Sequence, residues 1–215
     1  MRVSAKKILA ILAEMYPDAR CELEFSSPFQ LLIATILSAQ STDVQVNKVT
    51  KGLFARYPTA EAMMKLSEQE LAEEIKMLGL FRNKSKNIAQ TCRILVEKYD
   101  GQVPEDREAL EALPGVGRKT ASVVLSNAFG IPALAVDTHV QRVSNRLKLV
   151  NSKTPLETER QLTKKVPKSK WLDTHHQLIW HGRRLCTARN PKCSRCDLLS
   201  YCAYAQANID KVVTE

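Results

Sequence analysis

Apolar residues recur along this chain at intervals of three and four, the spacing of helices packed against a core. Behind Ser27-Pro28, the residues Phe29, Leu32, Ile33, Ile36 and Leu37 fall on one helical stripe, and Gln40 lies on its continuation where the helix should end. Ser27 supplies an N-cap and Pro28 occupies the first helical position. Ser4 caps an earlier helix that runs to about Tyr16 and is stopped by Pro17. Ser67 with Glu70, and Thr154 with Glu157, have the spacing of capping boxes. The same periodicity predicts helices over about 44–56, 84–99, 106–112, 118–129, 139–147 and 170–184, separated by Gly79, Gly101, Pro104, Gly130, Pro132 and Pro167. No stretch alternates as a half-buried strand would, and Leu31-Leu32-Ile33 lies inside helical spacing. The pattern predicts an all-α protein. Its best candidate for a domain boundary is Gly130-Ile131-Pro132, and residues 209–215 are expected to be loosely ordered.

Composition narrows the partners. The 215 residues are 44% hydrophobic and 26% charged, enough for one large or two small packed domains without disulfide staples. Lys and Glu interrupt the N-terminal stretch before a signal-peptide core forms, and no apolar run is long enough to cross a bilayer. The expectation is a soluble, cytoplasmic protein with no membrane partner. A net charge of +9 suits a polyanion, because neutralising phosphates releases counterions. A solvated basic surface would give the same number, so charge alone does not decide.

The string Leu113-Pro114-Gly115-Val116-Gly117 joins two predicted helices, the first capped by Asp106. Its glycines permit a tight turn with exposed backbone N–H groups. With the positive end of the second helix, these make an anion site that takes a DNA phosphate without sequence preference. A plain corner between helices also uses Pro and Gly, but the full string followed by Arg118-Lys119-Thr120 is more specific than a lone Gly-x-Gly. Ala121, Val124, Leu125 and Ala128 form the buried stripe of the second helix, and at ~100° per residue Lys119 points away from it. Lys119 lies in the first turn, where the helix dipole disfavours an added positive charge, an argument for a nucleophilic amine. On spacing alone, a surface lysine touching phosphate is the more ordinary reading. Asp137 follows four apolar residues at a helix start. A cap explains it as well as a carboxylate partner for Lys119 does.

Of six cysteines, Cys21 and Cys92 stand apart, while Cys186, Cys193, Cys196 and Cys202 follow a Cys-x6-Cys-x2-Cys-x5-Cys pattern. Four thiols so close, without a secreted disulfide framework, point to metal. Zinc and a [4Fe-4S] cluster both accept four cysteines. Structural zinc favours two tight pairs, whereas the longer, unequal loops here suit a cubane better. Arg189 and Lys192 lie in the loop between the first two cysteines, where they either press on a DNA backbone or are simply solvated.

Taken together, these motifs resemble the helix-hairpin-helix DNA glycosylases, and among them the endonuclease III family. The resemblance rests on Leu113-Pro114-Gly115-Val116-Gly117-Arg118-Lys119-Thr120-Ala121, on Val136-Asp137-Thr138-His139-Val140, on the four-cysteine spacing, and on Ile36-Leu37-Ser38-Ala39-Gln40-Ser41-Thr42-Asp43. It implies two helical lobes flanking a DNA groove. One is a six-helix lobe over residues 21–132; the other joins residues 1–20 to 133–215 and holds a [4Fe-4S] cluster on Cys186, Cys193, Cys196 and Cys202. It makes Lys119 the catalytic lysine and Asp137 the catalytic aspartate. Gln40 fills the gap left by an extruded base, and Leu80 wedges into the stack. The hairpin residues Leu113, Gly115, Val116, Gly117 and Arg118 meet the DNA backbone, as do Arg189 and Lys192. His139 is a phosphate or groove contact, or simply part of a helix start. The implied activity is that of a bifunctional glycosylase and abasic-site lyase in base excision repair. Its partner is double-stranded DNA carrying oxidised or ring-saturated pyrimidines or abasic sites, bound by a monomeric bacterial enzyme.

Some residues depart from the family pattern or lie outside it. Asn190 stands where the cluster loop has a further cation, which leaves that contact without its charge. Cys21 and Cys92 belong to no ligand set and are expected to be buried helix residues. His175, His176 and His181 precede the cluster and are expected to be structural or groove-lining rather than ligands. Adenine glycosylases of the same superfamily lack the hairpin lysine and carry a glutamate on the early helix; here Lys119 is present and residues 31–40 contain no carboxylate. A non-enzymatic iron–sulfur DNA-binding module would explain charge, hairpin and cysteines, but not Lys119 together with Asp137.

Overall fold

A computed structural model describes residues 4–208, and all regular structure among them is helical. In chain order the helices are α1 (Ala5–Met15), α2 (Pro28–Leu37), α3 (Asp43–Arg56), α4 (Ala60–Met63), α5 (Glu68–Glu74), α6 (Phe81–Tyr99), α7 (Arg107–Glu111), α8 (Arg118–Ala128), α9 (Thr138–Arg146), α10 (Pro155–Lys165), α11 (Trp171–Arg184) and α12 (Ala203–Ala207). The all-α expectation therefore holds. The reading of 209–215 lies outside the described residues.

The chain divides into two compact units. Cys21–Ile131 form one, and the segments up to Arg20 and from Pro132 onward form the other. In the first unit α2 is the central element, packed against α3, α6 and α8. Ser27 Oγ accepts from the Gln30 amide at 3.2 Å and Pro28 opens the helix, as its sequence dictates. The single stripe predicted for α2 understates its burial, because Leu31, Ala34 and Thr35 are buried as well. A helix apolar on all sides belongs inside a core. Thr35 is accommodated there by returning its hydroxyl to the Leu31 carbonyl at 2.7 Å.

Helix α6 starts at Phe81, three residues before its predicted beginning. The cause is Leu80, which takes a left-handed conformation (φ 59°) in place of a polar cap, so that Lys84 N–H closes the first turn on the Leu80 carbonyl at 3.0 Å. The Ser67–Glu70 capping box forms in both directions. The Thr154–Glu157 pair does not: Thr154 caps the Glu157 amide, but the Glu157 carboxylate reaches past it to the Lys153 N–H at 3.1 Å. Ser4 begins α1 without a side-chain cap. Cys92 is fully buried in α6 as expected, whereas Cys21 is half-buried and outside any helix.

In the second unit α11 packs against α1 and α9, and α9 against α10. Leu12, Leu134, Val140, Val143, Leu162 and Leu178 form its core. Each fully buried aliphatic side chain contributes roughly 1.5–3 kcal/mol. The run Ala133-Leu134-Ala135-Val136 is buried without regular structure, and His175 Nδ1 lies 2.8 Å from the Ala135 carbonyl. His175, His176 and His181 are all buried.

Burial holds the His176 imidazole down at about 3, so it is neutral in the fold. The unfolded chain binds a proton there at an ordinary histidine value, which makes stability rise with pH between the two values. Thermal unfolding followed by circular dichroism is expected to show full stability above about pH 6.5 and a progressive loss as pH falls towards 4, and His176→Gln should flatten part of that slope.

Candidate active site

The hairpin is held from below by α6. Thr91 Oγ1 donates to the Pro114 carbonyl at 3.0 Å, and the turn at Gly115 (φ 78°) lies against Asn87, whose amide nitrogen would be 3.0 Å from an added Cβ. Gly115 is therefore required both by conformation and by space. Gly117 is not: its backbone is extended, and the room a side chain would take is open. That opening lets a ligand approach the backbone of the α8 N-terminus, which has no side-chain cap. Leu113 and Val116 are buried, so they anchor the turn and offer only backbone outward. Gly115, Gly117, Arg118 and Lys119 are exposed.

In the same unit, Gln40 (φ 54°) and Leu80 (φ 59°) are, with Asp100, the non-glycine residues in the left-handed region. Both side chains are exposed, Leu80 by 50% despite being apolar. Gly79 lies beside Gln40, with an added Cβ only 3.6 Å from the Gln40 carbonyl oxygen. The structure thus brings together two residues that are forty positions apart in the chain.

Asp137 belongs to the other unit, at the N-terminus of α9. Its Oδ1 accepts from the Val140 amide at 2.8 Å, so it is a helix cap. Its second oxygen makes no hydrogen bond among the described residues. His139 Nδ1 is 3.2 Å from Arg142 Nη2, and the ring packs where α9 crosses α11 at Gly182, a position whose added Cβ would meet His139 at 3.0 Å. Burial lowers the proton affinity of His139, partly offset by the Asp137 charge.

Cys186, Cys193, Cys196 and Cys202 line one apolar pocket and form no disulfide among themselves. Among the described residues, no three potential ligands converge as a single-ion site requires. Zinc with bonds of ~2.3 Å would draw four sulfurs to roughly 3.8 Å of each other, whereas a cubane holds its ligands further apart, and a donor set of four cysteines around one apolar pocket suits it. Burial pushes the Cys196 thiol up to about 11 and raises Cys202 as well, so thiolates form here only with metal charge to offset desolvation. Arg146 Nη1 donates to Cys186 Sγ at 3.2 Å, and His181 Nε2 lies 3.9 Å from Cys196 Sγ while its Nδ1 meets Tyr16 Oη at 3.1 Å. Arg189 and Lys192 are both exposed on the loop between the first two cysteines.

Sequence reasoning missed Arg142 and Arg146. They stand four residues apart, hence on one face of α9. Arg142 donates to the Gly182 and Cys186 carbonyls at 2.9 and 3.0 Å, and Arg146 to those of Thr187 and Ala188 at 2.7 and 2.9 Å. Their partners lie 40 or more positions away, so no local signal in the sequence marks them.

A helical fold with a hairpin, an exposed lysine and a four-cysteine pocket defines a class of iron–sulfur DNA repair protein. The family model of HhH-GPD superfamily base excision DNA repair proteins matches residues 33–168, and that of the iron-sulfur binding domain of endonuclease III matches residues 186–202. Endonuclease III of Bacillus subtilis (strain 168) is 52% identical over 196 residues, covering 91% of this chain and 90% of the relative. That of Escherichia coli (strain K12) is 51% identical over 200 residues, 93% of this chain and 95% of the relative. A solved endonuclease III trapped as a covalent intermediate with DNA superposes with a TM-score of 0.92 at 48% identity, covering 96% of this chain and 99% of that one. The chain belongs to the endonuclease III family. It is a base excision repair enzyme, a bifunctional DNA glycosylase and lyase, and its cysteine segment carries a [4Fe-4S] cluster.

Arg142→Ala is expected to leave the Gly182 and Cys186 carbonyls without partners, at a cost of about 3 kcal/mol. Differential scanning calorimetry should show the lowered Tm, and the visible absorption of the cluster should bleach faster in air than in the parent enzyme.

Proposed function

We propose that Lys119 and Asp137 perform the chemistry of this enzyme on oxidised or ring-saturated pyrimidines, such as thymine glycol and 5-hydroxycytosine, and on abasic sites in double-stranded DNA. Loss of the base develops positive charge on the sugar, which the free oxygen of the Asp137 carboxylate stabilises. The Lys119 amine attacks C1′, and after ring opening forms a Schiff base. The iminium acidifies the C2′ proton, whose removal breaks the C3′–O bond by β-elimination on the 3′ side of the lesion. Hydrolysis then frees the lysine. The observation that carries this reading is an exposed lysine in the first turn of α8, directly after an uncapped, open helix N-terminus suited to a DNA phosphate.

The remaining residues serve binding. Gly115 and Gly117 offer backbone N–H groups to phosphate, with Leu113 and Val116 as their anchors, the Val116 N–H being taken by the Leu113 carbonyl at 3.1 Å, and Arg118 adding charge. Gln40 hydrogen-bonds the orphaned base with its amide, and Leu80 replaces lost stacking. Arg189 and Lys192 neutralise phosphates, and His139 offers Nε2 to the backbone. In this reading the cluster pins the loop between its cysteines. The functional lobes are residues 21–132, and residues 1–20 with 133–215. One chain completes the site, so the enzyme acts as a monomer, in the bacterial cytoplasm. No described helix is long and apolar enough to cross a membrane.

Borohydride added to enzyme and a duplex containing thymine glycol or an abasic site should trap a covalent adduct, and Lys119→Ala should abolish it. Asp137→Asn separates chemistry from folding, because asparagine caps a helix as well as aspartate. Its Tm should be unchanged while single-turnover excision slows on the order of 100-fold. Absence of an adduct with the parent enzyme would overturn the Schiff-base route.

A further inference from the structure

We propose that Lys84 is a positioning residue that locks the Gln40 and Leu80 turns into one preformed double wedge, so that base extrusion depends on it. The inference rests on the reading that Gln40 and Leu80 enter the duplex.

Lys84 is only 3% exposed, and no carboxylate pairs with it among the described residues. Its one side-chain partner there is Ser41 Oγ, to which Nζ donates at 3.0 Å. Burying an ammonium with a single neutral partner is costly, and burial accordingly lowers its proton affinity. A surface lysine would supply the same charge to DNA at no such cost. What the buried position supplies is reach. The Lys84 amide bonds the Leu80 carbonyl at 3.0 Å, while its side chain ends on Ser41, the neighbour of Gln40. One residue therefore joins both turns.

Those turns need joining. A non-glycine residue in the left-handed region is strained, and both Gln40 and Leu80 adopt it. Such conformations persist only where the surroundings over-determine them. Gly79 places the two turns side by side, and the Lys84–Ser41 hydrogen bond is the side-chain constraint between them. An amide and an apolar wedge fixed in advance meet the opened stack without an ordering cost at the moment of extrusion.

The test uses Lys84→Met in the cluster-loaded enzyme, which keeps length and removes the donor. 2-Aminopurine beside a thymine glycol reports unstacking, single-turnover excision reports the whole step, and borohydride trapping on an abasic duplex reports chemistry where no base is extruded. The expected result is a loss of the 2-aminopurine rise and a tenfold to about 100-fold slower excision, with abasic trapping affected far less. The double variant Lys84→Met with Gln40→Ala should be no worse than the poorer single variant, since both act through one wedge. Ser41→Ala, which deletes only the acceptor, should slow excision about fivefold and serves if Lys84→Met does not fold. Additive losses in the double variant, equal losses on damaged and abasic duplexes, or normal extrusion in Lys84→Met beside an impaired Gln40→Ala would each overturn this inference alone. Normal excision by Gln40→Ala and Leu80→Ala would overturn the wedge reading and this inference with it.

Discussion

Two arginines on one face of α9 tie the cysteine segment to the helix that Asp137 caps. Arg142 and Arg146 direct their guanidinium donors at the carbonyls of Gly182, Cys186, Thr187 and Ala188, and Arg146 also meets the Cys186 sulfur. These are charge-assisted bonds to backbone, stronger than neutral ones and geometrically fixed by the planar fork. They make the position of Asp137 and the position of the first cysteine parts of one rigid arrangement. Gly182 is the steric counterpart, because only a residue without Cβ lets α9 and α11 approach where His139 and Arg142 sit. The iron–sulfur segment is thereby tied through its backbone to the helix that Asp137 caps.

The other compact unit solves a different problem, which is to present backbone and a few side chains outward from an apolar core. Helix α6 does most of this. Its first turn begins at Leu80, its middle touches the hairpin through Asn87 and Thr91, and its buried face packs under α4 and α5. The exposed Gln40, Leu80, Gly115 and Gly117 sit on turns with buried neighbours. Leu113 and Val116 are the clearest case, since their side chains are committed inward and leave the hairpin amides outward.

Much of this was legible in the chain itself. Helix positions followed from period and caps, because Ser27, Ser67, Asp106 and Asp137 each bond the amide three positions on in the following helix, whereas the short α4 behind Thr59 was not anticipated. The hairpin and the cysteine segment were legible because each is a short contiguous string whose chemistry depends on local spacing. Lys84, Arg142 and Arg146 were not. Their significance lies in partners 40 or more positions away, and nothing in local spacing distinguishes a buried lysine from a solvated one. The early start of α6 escaped for a related reason: a left-handed leucine is locally unfavourable and is held by contacts the sequence does not display.

The sequence by itself determined the helical class, the hairpin string and the four-cysteine spacing, since these depend on residue type and near-neighbour spacing, whereas a role for Lys119 and Asp137 came only from the family resemblance. Only the tertiary structure decided which residues hold them. It made Gly115 obligatory and left Gly117 open, assigned Leu113 and Val116 to the core, and turned two strained turns into neighbours. Long-range packing makes those choices, because burial and hydrogen-bond satisfaction are properties of the folded whole.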